Sequence, residues 1–173
     1  MRISEFQIDV KNKTALLLDG GTAKFNTTNL ATVGLAFARL LSLPITSSSS
    51  ASLSDFRNKF VYIGSFLTSQ REILDVVQKS TETTDADWSI MSTDGQTWID
   101  DGPGKIARGD FTEMFNIAYG NTMTEGFGGN YEAAKGVSNG VLGLPEESVE
   151  DTLREVIPQL WRLPLLIARN ALV

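Results

Sequence analysis

Residues 16–34, LLLDGGTAKFNTTNLATVG, contain the signals that decide how this chain folds. An apolar run ends in Asp19, Gly20 and Gly21, and glycine takes the positive φ of a tight turn at no steric cost. A short second run and a helix-like pattern follow. Because strand, glycines and helix is also the order of a phosphate-binding loop, the stretch predicts either a turn between two strands or a nucleotide site.

The spacing of the glycines favours the turn. A dinucleotide loop needs G-x-G-x-x-G between one strand and the helix directly after it, whereas the glycines here are adjacent and stand well before the helix. Gly34 falls inside the helical pattern, where it would permit close packing. We therefore predict a hairpin turn at Asp19–Gly21, then a helix with an apolar face made of Leu30, Val33, Phe37, Leu40 and Leu41.

The composition excludes several kinds of chemistry. The chain has 173 residues, of which 42% are hydrophobic and 21% charged, and this suits one globular domain. Its net charge of −6 disfavours nucleic acid as a partner. It contains no His and no Cys, which removes the Ser-His-Asp triad, thiolate chemistry and the usual zinc ligands. With no calcium-loop pattern either, we expect no metal site.

Further strands and helices are predicted downstream. The runs KFVYIGS at 59–65 and DWSIMS at 87–92 have the β-branched and aromatic character of short strands. Ser69 and Glu72 have the spacing of a capping box, which predicts that a helix begins directly after Ser69. Residues 42–55, SLPITSSSSASLSD, are typical of a flexible Ser-rich loop.

The second half of the chain gives weaker signals. Residues 93–110 contain four glycines and a proline, so any helix there should be broken into short pieces. The run FTEMFNIA at 111–118 has apolar residues at helical spacing. A last helix is predicted to open at the LPEE run, residues 144–147, with its two carboxylates in a solvated first turn.

Three of these segments together resemble a known family. The stretch VKNKTALLLDGGTAKFNTTNLATVGLAFARLL at 10–41 is similar to the central part of fungal isoflavone-reductase-like proteins, in the NmrA-like group of atypical short-chain dehydrogenases. Residues 59–90 resemble their next strand and capped helix. Residues 107–157 resemble their C-terminal region, where a G-L-P-E-E-like run opens the last helix. The resemblance covers about residues 5–157, and three motifs in the right order carry it.

This resemblance implies a fold for the chain and a cofactor for its full-length relatives. Family members are considerably longer, and their first half holds the glycine-rich loop, most of the parallel sheet and a lysine used in proton transfer. The implied fold is α/β: a truncated Rossmann-like unit plus a smaller, mostly helical substrate-binding part, over residues 1–157. Residues 158–173 form an apolar C-terminal tail. NADPH is implied for full-length relatives only, so we expect no cofactor here.

The resemblance also implies a substrate cleft. Phe66, Leu67 and Thr68 match the loop that lines it, and Met114, Phe115 and Tyr119 match the lid helix. Independently of the family, Tyr119 or Tyr131 could donate a proton inside a dry pocket, which makes them the weak catalytic candidates. The alternative is that these aromatic residues pack in the core.

Several functions remain open from the sequence. The first is a small-molecule binder, for an aromatic or polyketide-like ligand, that lacks the NAD(P) motif. The alternatives are a cofactor-independent isomerase or cyclase of fungal secondary metabolism, and an inactive fragment or subunit of an NADPH-dependent oxidoreductase. Whether the chain is an enzyme is left undecided. We expect a cytoplasmic protein without a transmembrane segment, and a homodimer or partner-chain contact at an exposed sheet edge or at the tail.

Overall fold

The computed structural model describes residues 3–158. Strands are β1 (Ile8–Asp9), β2 (Thr14–Leu18), β3 (Phe25–Thr27), β4 (Phe66–Thr68) and β5 (Ser89–Thr93). Helices are α1 (Leu30–Leu41), α2 (Gln70–Ser80), α3 (Gly95–Ala107), α4 (Glu113–Met123), α5 (Tyr131–Lys135), α6 (Asn139–Leu142) and α7 (149–158). The predicted tail, residues 158–173, lies almost wholly outside the described residues.

The described strands form two small sheets. The first has the order β1-β2-β5, in which β1 and β2 are antiparallel and β2 and β5 are parallel. The parallel register runs from Thr14 opposite Ser89 to Leu18 opposite Thr93. The second sheet is the antiparallel pair β3 and β4. This confirms the predicted α/β class, and the parallel pair is consistent with a truncated Rossmann-like fold.

One hydrophobic core joins the first sheet to the helices. Its fully buried members come from β1, β2, β3, α2, α4 and α7, so residues far apart in the sequence share one apolar interior. The largest of them include Ile8, Leu18, Phe25, Ile73, Leu74 and Leu153. None of the described helices is long and apolar enough to cross a membrane.

A buried glutamine side chain completes the edge of β2. Strand β1 pairs with β2 only near its start, which leaves later backbone groups of β2 without a strand partner. Gln70, only 1% exposed, fills this gap. Its Oε1 accepts from the Leu18 amide at 2.8 Å, and its Nε2 donates to the carbonyls of Leu16 at 3.0 Å and Phe6 at 2.9 Å. The side-chain amide thus does for β2 what a peptide unit of a neighbouring strand would do.

The capping box predicted at the start of α2 is present. The Ser69 Oγ accepts from the Glu72 amide at 3.3 Å, and the Ser69 amide donates to Glu72 Oε2 at 3.1 Å. These bonds satisfy donors that the first turn of a helix leaves free. Gln70 is the first residue of this helix, so the cap fixes the residue that completes β2.

The predicted hairpin is wrong in one respect. The tight turn exists, with positive φ at Asp19 (50°), Gly20 (75°) and Gly21 (73°). However, β2 and β3 do not pair, because they belong to different sheets. The turn is instead held at the end of β5, where the Gly20 amide donates to the Ser92 Oγ at 3.1 Å.

The strand predicted at 59–65 lies further along the chain. Residues 60–64 have no ladder partner, and the strand is Phe66–Thr68. The backbone of residues 60–64 forms single hydrogen bonds with a later segment instead of a strand ladder. The Tyr62 carbonyl accepts from the Ser138 amide at 2.7 Å, and the Gly64 carbonyl accepts from Asn139 Nδ2 at 2.6 Å. The β-branched composition therefore indicated an extended backbone but not its pairing.

The prediction of broken helices at 93–110 is wrong. Helix α3 is continuous despite Pro103 in its interior. Its glycines allow close packing on α4: a Cβ on Gly102 would lie 2.4 Å from Ile117 Cγ1. Asp94 caps the helix by accepting from the Thr97 amide at 2.7 Å. Tertiary packing has overridden the weak local preference.

The last described helix begins later than predicted. Residues 144–148 are irregular and α7 starts at residue 149, where the Ser148 Oγ accepts from the Asp151 amide at 3.3 Å.

The predicted helix α1 is present, but its large apolar residues do not face the core. Thr32 and Ala36 are its buried residues, while Leu30 is 82% and Phe37 64% exposed.

We predict that Gln70→Ala destabilises the protein strongly. The change leaves the Leu18 amide and the carbonyls of Leu16 and Phe6 buried without partners, so the free energy of unfolding should fall by about 2–4 kcal/mol. Urea unfolding followed by circular dichroism measures the loss. The control is Gln96→Ala on the exposed side of α3, which should cost less than about 0.5 kcal/mol. Equal losses for the two variants would contradict the role of Gln70.

Candidate functional site

A cavity of about 430 Å³ lies where β3 meets α4 and α5, and we call it the tyrosine pocket. Its lining includes Phe6, Phe25, Asn26, Tyr119, Thr122 and Tyr131. The rings of Phe6 and Phe25 are stacked, with centroids 5.5 Å apart and planes at 15°. They give the pocket an apolar wall, against which the phenols and the amide supply the polar groups.

Asn26 fixes one side of the pocket. It lies on β3, is only 6% exposed and binds the first turn of α5 through both atoms of its amide. Its Nδ2 donates to Glu132 Oε2 at 2.9 Å, and its Oδ1 accepts from the Glu132 amide at 2.9 Å. The Asn26 backbone amide donates to the Gly129 carbonyl at 2.9 Å. These bonds position Tyr131, the residue before Glu132.

Tyr131 presents its ring to the pocket while its hydroxyl proton is engaged. The hydroxyl donates to the Ile63 carbonyl at 2.5 Å, and the ring lies 5.4 Å from that of Tyr62. Burial raises the pKa of Tyr131 above 10.0, a hydrogen bond with Thr28 opposes the rise, and the Glu132 charge adds to it. The phenol is therefore neutral at physiological pH and can accept a hydrogen bond from a ligand.

Tyr119 reaches the same pocket from α4. It is half-buried and packs against the hydrophobic core, and Thr122 lines the pocket one turn further along the helix. The structure thus brings together the two tyrosines that the sequence analysis singled out as catalytic candidates. Their arrangement suits the binding of a flat molecule between apolar rings, with hydrogen bonds at its edge.

The other residues suggested by the family resemblance are not part of the lining of the tyrosine pocket. Met114 and Phe115 are on α4 but are 59% and 68% exposed, and they are not part of the lining. Phe66, Leu67 and Thr68 form β4. Thr68 is buried, with its Oγ1 donating to Glu72 Oε2 at 3.2 Å, and Leu67 is 39% exposed. These five residues are therefore not part of the lining to which Tyr119 belongs, although β4 pairs with the pocket residues of β3.

A second polar cluster centres on Glu147, which sequence reasoning placed in a solvated turn. Its carboxylate accepts from Asn29 Nδ2 at 3.0 Å, from Thr32 Oγ1 at 2.5 Å and from the Ser65 Oγ. Burial raises the pKa of Glu147, but the hydrogen bonds from Asn29, Ser65 and Thr32 outweigh it, so the net pKa lies below its usual 4.5. The LPEE run carries no signal for these partners, which are more than eighty residues away along the chain.

The Glu147 cluster ties the last described helix to α1. Asn29 Nδ2 also donates to the Thr152 Oγ1 at 3.0 Å, so one side chain contacts both the irregular segment and α7. The Asn29 backbone amide donates to the Ser65 Oγ at 2.9 Å. We assign the cluster a structural role, because every member is satisfied within the chain.

The start of α3 is the place where the fold would offer amides to a phosphate. It lies at the carboxyl ends of the parallel strands, as such sites do in α/β proteins. Here the Gly95 amide donates to Asp19 Oδ1 at 2.9 Å and the Thr97 amide donates to Asp94 Oδ1. Two carboxylates thus occupy these donors, which disfavours a phosphate at this position. Within residues 3–158, no group of three or more acidic side chains could hold a metal ion.

Comparison with known proteins places the chain among distant relatives of fungal oxidoreductases. It is 25% identical over 154 residues to a protein named Oxidoreductase poxI from Penicillium oxalicum, covering 86% of this chain and 44% of that protein. It is 23% identical over 149 residues to Oxidoreductase aprR from Aspergillus flavus, covering 86% and 46%. The chain therefore spans less than half the length of these relatives.

No protein-family model matches the chain. No solved structure matches it either. The similarity to the two fungal proteins supports a relationship with oxidoreductase-like proteins, which is a coarser statement than the family resemblance suggested by the sequence motifs.

We predict that the contribution of Glu147 to stability depends on pH. Because the folded state lowers its pKa below 4.5, the contribution is complete above that pH and disappears as the pH falls through the folded value. Glu147→Gln should therefore lower the free energy of unfolding by about 1–2 kcal/mol at neutral pH. The difference from the parent chain should shrink on acidification below the ordinary pKa.

Thermal and urea unfolding at several pH values measure this difference. Glu146→Gln, at the exposed neighbouring position, is the matched control and should behave like the parent chain. A Glu147→Gln penalty that stayed constant into acid would show that the carboxylate charge is not what stabilises the cluster.

Proposed function

We propose that the chain binds a small, neutral aromatic or polyketide-like molecule in the tyrosine pocket. The observation that carries this proposal is the meeting of Tyr119 and Tyr131 beside the stacked rings of Phe6 and Phe25. A cavity of about 430 Å³ with an apolar wall and a few polar groups has the usual form of a small-molecule site.

The charges around the pocket support a neutral ligand. Glu5 is part of the lining, and none of the Lys and Arg residues within 3–158 is. An anionic ligand would be repelled, whereas a phenol or quinone would stack on the rings and exchange hydrogen bonds with Tyr119 or Asn26. Binding needs no cofactor, which agrees with the carboxylates that face the start of α3.

We also propose that the chain is related to a particular group of oxidoreductases. The distant similarity to fungal oxidoreductases and the order of the motifs support an NmrA-like, isoflavone-reductase-like ancestry, with a cytoplasmic location. Under this proposal the chain has the binding part of such a protein. An isomerase or cyclase activity would use the same pocket, but the Tyr131 proton is bound to the Ile63 carbonyl and is not poised for transfer.

We predict that variants of α4 distinguish the tyrosine pocket from the exposed face of the same helix. Tyr119→Ala should weaken the binding of naphthol about tenfold or more, because it removes an aromatic wall. Tyr119→Phe should weaken it about threefold through the lost hydroxyl. Isothermal titration calorimetry measures both, with naphthoate as the anionic comparison ligand that should bind more weakly.

Met114→Ala is the control, since Met114 lies on α4 outside the pocket. It should leave naphthol affinity unchanged. If Met114→Ala weakened binding and Tyr119→Ala did not, the ligand would bind at the residues suggested by the family resemblance and the proposal would be wrong.

We predict that NADPH does not stabilise this chain. A ligand that binds the folded state raises the melting temperature in proportion to the logarithm of its concentration. Because carboxylates of Asp19 and Asp94 occupy the amides at the start of α3, no such rise is expected with NADPH up to millimolar concentration. A concentration-dependent rise in differential scanning fluorimetry would instead indicate a reductase.

A further inference from the structure

Helix α1 presents its large apolar side chains away from the core. Leu30, Val33, Phe37 and Leu41 recur at intervals of three and four residues, so they form one stripe along the helix. They are 82%, 43%, 64% and 60% exposed. A contiguous apolar surface of this kind is rare on a soluble monomer and marks a place where something binds.

The stripe borders a continuous apolar groove, which we call the α1 groove. One part, of about 140 Å³, is lined by Val33, Phe37, Leu40, Val61, Ile63 and Leu142, with Ala36 at its base. The other part, of about 550 Å³, shares Leu40 and Val61 with the first and continues past Ile45, Leu53 and Phe56. None of these groove residues is in the lining of the tyrosine pocket, although the two sites are neighbours: Leu30 of the stripe lines that pocket, and the Ile63 carbonyl accepts from the Tyr131 hydroxyl.

Two cationic residues line the α1 groove. Arg57 and Lys59 line its larger part, and no Asp or Glu of the described part of the chain does so. Neither forms an ion pair with any of residues 3–158, in a chain whose net charge is −6. Hydrogen bonds from Ser52 lower the pKa of Asp55, and the charge of Lys59 lowers it slightly further, so Lys59 has a weak electrostatic interaction with this carboxylate. The nearby Asp55 is engaged with Ser52, whose amide and hydroxyl donate to its Oδ2 at 2.8 and 2.9 Å.

We propose that the α1 groove binds a linear apolar chain that ends in a carboxylate, such as a fatty acid. The apolar walls would remove the alkyl chain from water. The guanidinium of Arg57 can bind a carboxylate through two parallel hydrogen bonds, and Lys59 adds a second positive charge. Charge complementarity selects this occupant, because a cationic amphiphile would be repelled by Arg57 and Lys59, and an apolar molecule without a carboxylate would leave Arg57 without an ion-pair partner.

The test uses the full chain and dodecanoate below its micellar concentration. Isothermal titration calorimetry should show saturable binding of dodecanoate, weaker binding of dodecylammonium and none of acetate, which lacks the alkyl chain. The double variant Arg57→Gln/Lys59→Gln should bind dodecanoate roughly fivefold to tenfold more weakly. Leu40→Ser, at the junction of the two parts, should also weaken binding.

Lys11→Gln/Arg108→Gln is the matched control, since it removes the same charge from exposed positions outside the groove. It should bind dodecanoate like the parent chain, and naphthol binding should be unchanged in all these variants. The proposal is overturned by equal binding of dodecanoate and dodecylammonium, by equal loss in the two double variants, or by no saturable binding. A stable dimer by light scattering that dodecanoate does not alter would instead show that a second copy covers this face.

Discussion

The fold depends on one buried amide, the side chain of Gln70. Strand β1 is too short to pair with the whole of β2, and the parallel partner β5 satisfies only the other edge of that strand. Unpaired backbone groups at this depth would cost free energy comparable to lost hydrogen bonds. Three hydrogen bonds from one glutamine remove that cost, and they also dock α2 against the sheet.

The position of the tyrosine pocket follows from this contact. The capping box at Ser69 and Glu72 sets where α2 begins and therefore where Gln70 lies. It also ends β4, which pairs with β3 and holds Phe25 and Asn26 in register. Asn26 then fixes the first turn of α5 and with it Tyr131. A local signal in the sequence is thus connected by a few hydrogen bonds to the candidate site.

The sequence predicted those features that depend on local chemistry. The capping box, the strand at β5 and helix α4 follow from residues close together in the chain. It did not predict the pairing of β2, because Asp19 and Gly20 define a turn but not which strands that turn connects. Nor did it predict the burial of α1, where small residues face inward and Phe37 outward. Glu147 was missed because its partners come from distant segments, a relationship that spacing does not reveal.

Three regions of the described surface differ in charge and therefore in the kind of ligand that each would accept. At the start of α3, Asp19 and Asp94 satisfy backbone amides and repel phosphate. For the tyrosine pocket, with Glu5 in its lining, we propose a neutral aromatic molecule. The α1 groove is lined by Arg57 and Lys59, and for it we propose an anion with an apolar chain. Because the three regions differ in charge, the two ligands that we propose differ in class, and neither proposed site depends on a bound dinucleotide.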